Sequence, residues 1–571
     1  MKKLINLKHY TNLSNTLSTG KDSKGMVLIV VLALLATLTI VGTTAVITTT
    51  TDNKISNNYK SSIQAYYAAE GGAKYGVEKF RQKLKTVLNP SSSDLNGITA
   101  PTINGFNFDE FTVSKVGVGN TTAIATGNFT GLTALKQKYE IISKAKGTNN
   151  NSSTAKIVQS VEDNLIPLFQ FGIFYQDDLE MVPGPDMTFS GGKIHSNNDI
   201  YVGSNNTLSL DSQITSAGNI YYRRKDDGSV PSGTVRIKDG AGNYQPMKKD
   251  GKILDSESTD WTSKATSRWN ENVKSKDMGI TELKIPLPES SESIEVIKKG
   301  DTLKPEDSTE SEELLNGRFY WKAGLRIVDG VFYDRSGNVI DITNGGTVTS
   351  PLATNTIYDA REGKNITVKT IDLQALGANT LAMNALNDPP KGILYISESG
   401  SSKAIRLSNG SSLPSGGLTV ASENPVYIKG DYNLDNKPAA VAGDAVTILS
   451  NAWDDAKSNG PLGNRVANNT TVKSVFMTGH VATHGTQYSG GVENLLRFLE
   501  KWSGKTFSYS GSLISLWQSK KATGNWIYGS PIYEAPTRNW SYGIDFSNLP
   551  PGTPVVRLVQ KVCWQQSLAN P

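Results

Sequence analysis

The sequence has little of what many enzymes and secreted proteins depend on. Its 571 residues include one cysteine, Cys563, which excludes an internal disulfide, and four histidines, too few to favour a histidine-rich metal centre. Charged residues make up 19%, and the net charge of +5 is spread thinly, without the basic, aromatic-rich blocks of a nucleic-acid-binding protein. We found no G-x-S-x-G, phosphate-binding loop or dinucleotide-binding glycine motif. The sequence therefore predicts no enzyme, no cofactor and no nucleic-acid partner.

Long hydrophobic runs are also scarce, and one stands out. In "KGMVLIVVLALLATLTIVGTTAVITTTTDNK", residues 24–54, no side chain from Gly25 to Thr51 is charged. The apolar run has roughly the 20 residues that a transmembrane helix needs. A cleaved secretory signal has a core of about 7–15 residues and a small-residue cleavage site after it, which is missing here. An ordinary single-pass anchor, with its lysines in the cytoplasm, remains an alternative.

The run continues into an amphipathic pattern. Apolar residues recur at steps of three, four or eleven, as on one face of a helix. The pattern predicts a single helix over residues 26–90 that ends near Asn89-Pro90. Half of it would lie in the bilayer and half would protrude. The face comprises Ile55, Tyr59, Ile63, Tyr66, Val77, Phe80 and Leu84.

The junction Lys24-Gly25-Met26 resembles a class III (prepilin) signal. The stretch "GMVLIVVLALLATLTIVGTTAVITTTTDNKISNNYKSSIQAYYAAEGGAKYGVE" closely resembles the N-terminus of PilX-type pilus assembly proteins. The resemblance implies that residues 1–25 are a leader that a prepilin peptidase removes after Gly25. Met26 would then be the methylated N-terminus. The apolar segment would first anchor the chain in the lipid bilayer and later pack in the core of a filament.

One position departs from the pattern of major pilins. They carry Glu as the fifth residue after the cleavage site, where its carboxylate can meet a neighbour's N-terminal amine. Here that residue is Val30. An ion in hydrocarbon is costly unless it is paired, so its absence removes a strong docking contact. This difference favours a minor or tip subunit.

The remainder predicts an α+β protein that is mainly β, because 53 glycines and polar turns punctuate short apolar pairs. Residues 91–168 predict an antiparallel sheet against the helix. Residues 169–490 predict a large β domain, either a parallel β-solenoid with rungs such as "GGKIHSNNDI" or a β-sandwich. Within it, the acidic residues 286–316 predict an exposed excursion. Residues 491–571 predict a helix over 491–502, then a Trp-rich β segment.

Phrases such as "NPVYIKGDYN" and "YSGGVENLLRFLEKWSGKTFSYSGSL" resemble the long C-terminal part of large PilX-N-terminal-domain proteins of Gram-negative bacteria. The resemblance implies a minor pilin-like structural protein of a type IV pilus or related filament, active in assembly and displayed at the tip. Its implied partners are other pilins and pseudopilins, the prepilin peptidase and the inner-membrane assembly platform. Its large domain would lie in the periplasm and then on the cell-surface pilus. The alternative is a membrane-anchored β-solenoid adhesin or polysaccharide-acting enzyme exported with a pilin-type signal.

Two further groups of residues are candidates for binding. Asp431, Asn433 and Asp435 in "GDYNLDN" alternate like the first ligands of a calcium loop, although turn formation accounts for the same residues. The C-terminal region is rich in tryptophan, which predicts either core packing or an aromatic surface for a partner or a glycan. The candidates for that surface are Trp502, Trp517, Trp526 and Trp540.

Overall fold

The structure is a computed structural model that describes residues 23–148, 153–545 and 548–569. It is 22% helical and 36% strand. The predicted fold class is confirmed: a long N-terminal helix precedes a small antiparallel sheet and a large, mostly β region. Most of the predicted leader, residues 1–22, lies outside the described residues.

The N-terminal helix is continuous over Ser23–Thr86, which is 64 residues. At 1.5 Å per residue it is about 96 Å long. It ends a few residues before Pro90, whose ring cannot donate a backbone hydrogen bond. A short second helix, Ser92–Asn96, follows, and the side chain of Ser91 accepts a hydrogen bond from the backbone of its first turn.

The N-terminal helix packs on a four-stranded antiparallel sheet, which we call the helix-bound sheet. Its last strand comes from the C-terminal end of the chain and pairs with a strand about 400 residues earlier. The predicted unit 491–571 is therefore corrected, because its end completes the sheet predicted for residues 91–168. In spatial order the strands are Phe106–Ala123, Thr133–Gly147, Thr154–Pro167 and Val555–Ala569.

Residues 171–541 form what we call the stacked β region. Its largest sheet has eleven strands, all paired in parallel except at one edge, Leu325–Val328 with Val331–Asp334. In spatial order the strands are Val273–Lys274, Ile214–Ser216, Lys193–Ser196, Phe171–Tyr175, Leu513–Ser515, Val475–Thr478, Ala439–Gly443, Leu418–Ala421, Ile393–Ser397, Leu325–Val328 and Val331–Asp334.

Smaller sheets complete the region, and most of their pairings are also parallel. The six-stranded sheet comprises Leu352–Asp359, Lys364–Asp372, Lys403–Ser408, Val426–Lys429, Val446–Leu449 and Arg497–Phe498. The others comprise Ile220–Tyr221, Ile200–Val202 and Leu179–Met181; Tyr244–Pro246, Thr234–Lys238, Thr207–Leu210 and Met187–Phe189; Thr470–Lys473, Thr506–Ser510 and Thr537–Ser541; and Lys248–Lys249 with Lys252–Ile253.

Equivalent strands recur about every 20 residues in the first part of the region. Ile173, Ile194 and Ile214 pair in register, and all three are buried. These strands therefore pair in parallel, about 20 residues apart along the chain. This pairing differs from that of a β-sandwich, whose two sheets are antiparallel.

The chain enters and leaves the eleven-stranded sheet at neighbouring strands. It enters at Phe171–Tyr175 and runs outward to one edge at Val273–Lys274. It then passes to the opposite edge, where Leu325–Val328 and Val331–Asp334 form a hairpin, and returns strand by strand. The returning strand Leu513–Ser515 pairs with Phe171–Tyr175. The stacked β region is therefore an insertion between two neighbouring strands of the helix-bound sheet.

The helix predicted over 491–502 is wrong. This stretch instead contains a 3-10 turn, Val492–Asn494, followed by the strand Arg497–Phe498. The apolar residues here are buried on every side, so their spacing did not describe one face of a helix. The Arg497 side chain pairs with Glu362 at 2.6 Å, where both are buried. The other helices are Trp261–Trp269, Glu312–Gly317, Phe319–Lys322, Leu373–Ala378 and Thr380–Leu386.

The exposed excursion predicted for residues 286–316 also needs correction. Ile294, Val296 and Ile297 are buried within it, and Tyr395 of the eleven-stranded sheet donates a hydrogen bond to the Ile297 carbonyl at 2.9 Å. The Arg318 guanidinium pairs with two of its acidic side chains, Glu295 and Glu310. A short apolar motif and this ion-pair cluster therefore hold the segment against the sheet.

Candidate filament interface

The first half of the N-terminal helix is apolar and fully exposed. Gly25–Leu84 is long and apolar enough to cross a membrane, and its most apolar 18-residue window has a mean hydropathy of 2.7 with none of it buried. Met26 is 70% exposed and Val46 is 66% exposed. A helix satisfies its own backbone hydrogen bonds, so such a surface suits lipid or the apolar faces of other helices.

The threonines in this segment do not make it polar. The hydroxyls of Thr39, Thr43 and Thr44 donate to the carbonyls four residues earlier, at 2.7, 2.6 and 2.8 Å. Each hydroxyl therefore has a partner within its own helix and needs none from the surroundings. The segment can enter hydrocarbon without leaving these donors unpaired.

Gly25, Met26 and Val30 all lie in this helical, exposed part. The sequence has no Asp or Glu between Met26 and Thr51, so this segment offers no acidic partner to an amine. Contact through this surface would depend on apolar packing.

The second half of the helix packs on the helix-bound sheet through small residues. Phe80, one of the larger exceptions, contacts Tyr139 with ring centroids 4.5 Å apart. Gly72 and Gly76 let the helix approach the sheet, because a methyl group at Gly76 would lie 2.7 Å from Cγ2 of Ile141. The buried residues of this face are Ala65, Ala68, Ala69, Gly72, Ala73, Gly76, Val77, Phe80 and Leu84.

This face corrects the predicted one. Ile55 and Tyr59 are exposed, whereas Val77, Phe80 and Leu84 are buried as expected. The sequence "YAAEGGAKYG" repeats small residues at steps of three and four, and that signal could have located the packed face. The spacing of large apolar residues alone does not indicate this packed face.

Arg557, in the C-terminal strand, fixes the end of the helix. Its guanidinium donates to the carbonyls of Leu84 and Leu88, and it pairs with Asp163 at 3.0 Å. Burial raises the pKa of Asp163 to about 6, although the arginine opposes that shift. The guanidinium thus binds one carbonyl in the last turn of the helix and one that lies two residues beyond it. Local sequence patterns carry no signal for this contact.

Each of the predicted calcium ligands has a hydrogen-bond partner within the protein. The Asp431 carboxylate accepts from the Thr471 backbone and the Asn451 side chain, at 2.7 and 2.9 Å. The Asn433 side-chain oxygen accepts from the backbone of Lys437, at 2.8 Å. The third candidate has a separate partner, since Asp435 accepts from the Ser412 hydroxyl at 3.0 Å.

The Asn433 contact is a local turn hydrogen bond, whereas Asp431 and Asp435 accept from residues of other turns and strands. Within the described ranges, no three His, Cys, Asp or Glu side chains converge to hold a metal ion. Calcium binding at Asp431, Asn433 and Asp435 stays a prediction.

Three of the four candidate tryptophans belong to the core. Trp502, Trp517 and Trp540 are buried, so the predicted aromatic surface is corrected for them. They fill space between strands, as in the contact of Trp502 with Phe498. Trp526 differs, because it is half-buried and lines a cleft of the stacked β region.

A long helix that is apolar and exposed in its first half, and packed on an antiparallel sheet in its second, is the arrangement of a pilin-like protein. Residues 24–74 match the family model described as PilX N-terminal. The chain is also similar to the crystal structure of the competence-associated pilin ComZ from Thermus thermophilus, with 13% identity over 89% of this chain and 98% of that one. The TM-score of 0.28 is too low to carry an argument. No curated protein matches the chain.

Proposed function

We propose that this protein is a minor, low-copy pilin-like subunit of a type IV pilus or related filament, active in assembly and displayed at the tip. The observation that carries the proposal is the exposed apolar half of a 64-residue helix whose other half is fixed to a sheet. Such a segment needs a lipid bilayer or neighbouring apolar helices around it. The match of residues 24–74 to the PilX N-terminal model supports the same function.

The proposed path begins with a single-pass protein in the inner membrane, its β regions in the periplasm. A prepilin peptidase cuts after Gly25, and Met26 becomes the methylated N-terminus. The assembly platform then moves the apolar helix from lipid into contact with other pilins. The stacked β region, which we take to be a parallel β-solenoid, finishes on the cell-surface filament.

Intact-mass analysis of membrane and sheared-filament fractions tests the proposal. We expect a chain that starts at Met26 and carries one added methyl group, and a share of it in the filament fraction. Recovery of a chain that starts at Met1, or one cut after residue 45, would contradict the processing step. Presence in membranes with none in filaments would favour the membrane-anchored adhesin instead.

A further inference from the structure

The stacked β region contains a cleft of about 680 Å³ that the filament interface does not use. The turn at residues 182–187 forms one wall, and the segment 526–538 forms another. Gly184 and Pro185 are exposed at its rim. The volume lies in the range of small-ligand sites, about 300–1,000 Å³.

Aromatic rings line this cleft in fixed positions. Tyr528 is 57% exposed, and Trp526 packs edge-on against Tyr488 with centroids 5.5 Å apart. The Trp526 indole donates to the Tyr533 hydroxyl at 2.9 Å, which fixes the orientation of the ring. Gly490 makes room for it, since a methyl group there would lie 2.6 Å from the indole. The rings are therefore held in place without a ligand.

Polar groups accompany the rings. Glu493 is buried and lines the cleft, and its Oε2 has no hydrogen-bond partner among the described residues. That oxygen is enclosed by the protein, whereas the side chains of Asp186, Ser503 and Thr537 are exposed where they line the cleft. The Arg538 side chain donates to Oδ1 of Asn494 at 2.9 Å and to the Glu493 carbonyl at 3.0 Å. Burial raises the pKa of Glu493 to about 7.

The charges of the cleft disfavour an acidic ligand. Arg224 is already paired with Asp226 at 2.7 Å and stacks over Tyr488, 4.5 Å from the ring centroid. Arg538 is hydrogen-bonded to Asn494 and to the Glu493 carbonyl. Asp186 adds a carboxylate at the cleft, so an anion would meet negative charge and two occupied arginines.

We propose that this cleft binds a neutral glycan chain. A pyranose ring presents C–H groups on one face, which pack on an aromatic ring such as Tyr528 or Trp526. Its hydroxyls can pair with the exposed side chains of Asp186, Ser503 and Thr537 that line the cleft. The site belongs to the stacked β region alone, so the proposal goes beyond filament assembly and does not depend on it.

Calorimetric titration of the full-length protein in detergent tests the proposal. The probes are cellohexaose, chitohexaose and mannohexaose, with tetragalacturonate as the acidic comparison. We expect saturable binding of at least one neutral hexasaccharide and none of tetragalacturonate.

Two cleft variants and one control locate the site. Tyr528→Ala removes an exposed ring and should weaken binding about tenfold or more, which corresponds to about 1.4 kcal/mol. Gly184→Trp should abolish binding by filling the cleft, and an added side chain there starts in open space because no atom lies within 4 Å of its Cβ. Tyr67→Ala is the matched control, since Tyr67 is 64% exposed on the N-terminal helix, and it should leave affinity unchanged.

Failure of all three neutral probes to bind, or binding of tetragalacturonate alone, would overturn the proposal. Neutral binding that survives Gly184→Trp would overturn the location. Circular dichroism and the thermal midpoint show whether each variant folds. If Tyr528→Ala does not fold, Gly184→Trp decides the question.

Discussion

Gly76 sets how closely the N-terminal helix approaches the helix-bound sheet. A glycine inside a helix normally costs about 1 kcal/mol relative to alanine. Gly76→Ala should nevertheless destabilise the protein by about 1–3 kcal/mol, because the new methyl group would meet the buried side chain of Ile141. Gly71→Ala is the control, since its methyl group would have an ordinary 3.6 Å contact with Ile103 and should be neutral or stabilising. Chemical denaturation measures the free energy of unfolding of both variants, and hydrogen exchange measures the protection of their helix amides. Equal effects of Gly76→Ala and Gly71→Ala would contradict the close approach.

Glu493 gives the stacked β region a pH dependence of defined sign. Its pKa is about 7 in the folded chain, mainly because of burial, against an ordinary value of 4.5. The folded state therefore holds a proton that the unfolded state has lost, and the free energy of unfolding falls as pH rises from about 4.5 to about 7. Burial acts in the same direction on Glu500, whose pKa is also about 7.

The variant Glu493→Gln tests this sign. Its uncharged amide should make the protein more stable than the wild type at pH 8, by about 1–3 kcal/mol, with little difference at pH 5. Thermal midpoints across pH 5 to 8 provide the measurement. The surface variant Glu257→Gln should keep the slope of the wild type, and an unchanged slope in Glu493→Gln would show that its burial does not control it.

At the scale of elements, Arg557 joins the C-terminal strand to the end of the helix. Arg557→Met would leave the buried carboxylate of Asp163 without its ion partner, and the carbonyls of Leu84 and Leu88 without this donor. We expect a loss of about 3–5 kcal/mol, as for other broken buried pairs. Hydrogen exchange should rise in both the helix end and the strand Val555–Ala569.

Two further variants separate the contribution of the buried ion pair from other effects. Arg223→Met breaks an exposed ion pair with Glu257 and should cost less than about 1 kcal/mol. Adding Asp163→Asn to Arg557→Met should recover part of the loss, because the uncompensated charge is then gone. If the double variant is as unstable as Arg557→Met, the effect comes from the carbonyls of Leu84 and Leu88 alone.

The elements show what local sequence can predict and what it cannot. The uncharged run and the proline predicted the helix to within a few residues, and the glycine- and asparagine-rich turns predicted parallel strands. The pairing of Val555–Ala569 with Thr154–Pro167 was missed, because no local sequence pattern specifies a partner about 400 residues away.

The wrongly predicted helix at 491–502 arose because the spacing of residues that are buried on every side resembles the spacing of one helical face. The cleft, built from distant segments such as 182–187 and 526–538, had one sequence signal, Trp526.

At the scale of the whole molecule, the proposed filament role implies a limit on copy number that is set by size. The helix-bound sheet carries an eleven-stranded sheet and its neighbours, so closely spaced copies would collide. We expect this chain at low stoichiometry, and Val30→Glu should not turn it into a bulk subunit because the size is unchanged. Quantitative mass spectrometry of sheared filaments measures both; abundance equal to that of the main pilin would contradict the prediction.

The insertion of the stacked β region between neighbouring strands has a mechanical consequence. The chain leaves the helix-bound sheet at Pro167 and returns to it at Val555, and these two residues are paired. Tension on the stacked β region would therefore reach the sheet through two connections at the same end. The strands Thr154–Pro167 and Val555–Ala569 would be pulled together, lengthwise, past the strand Thr133–Gly147. That load shears a whole ladder of hydrogen bonds at once and does not break them one at a time, so the sheet should resist tension applied through the stacked β region.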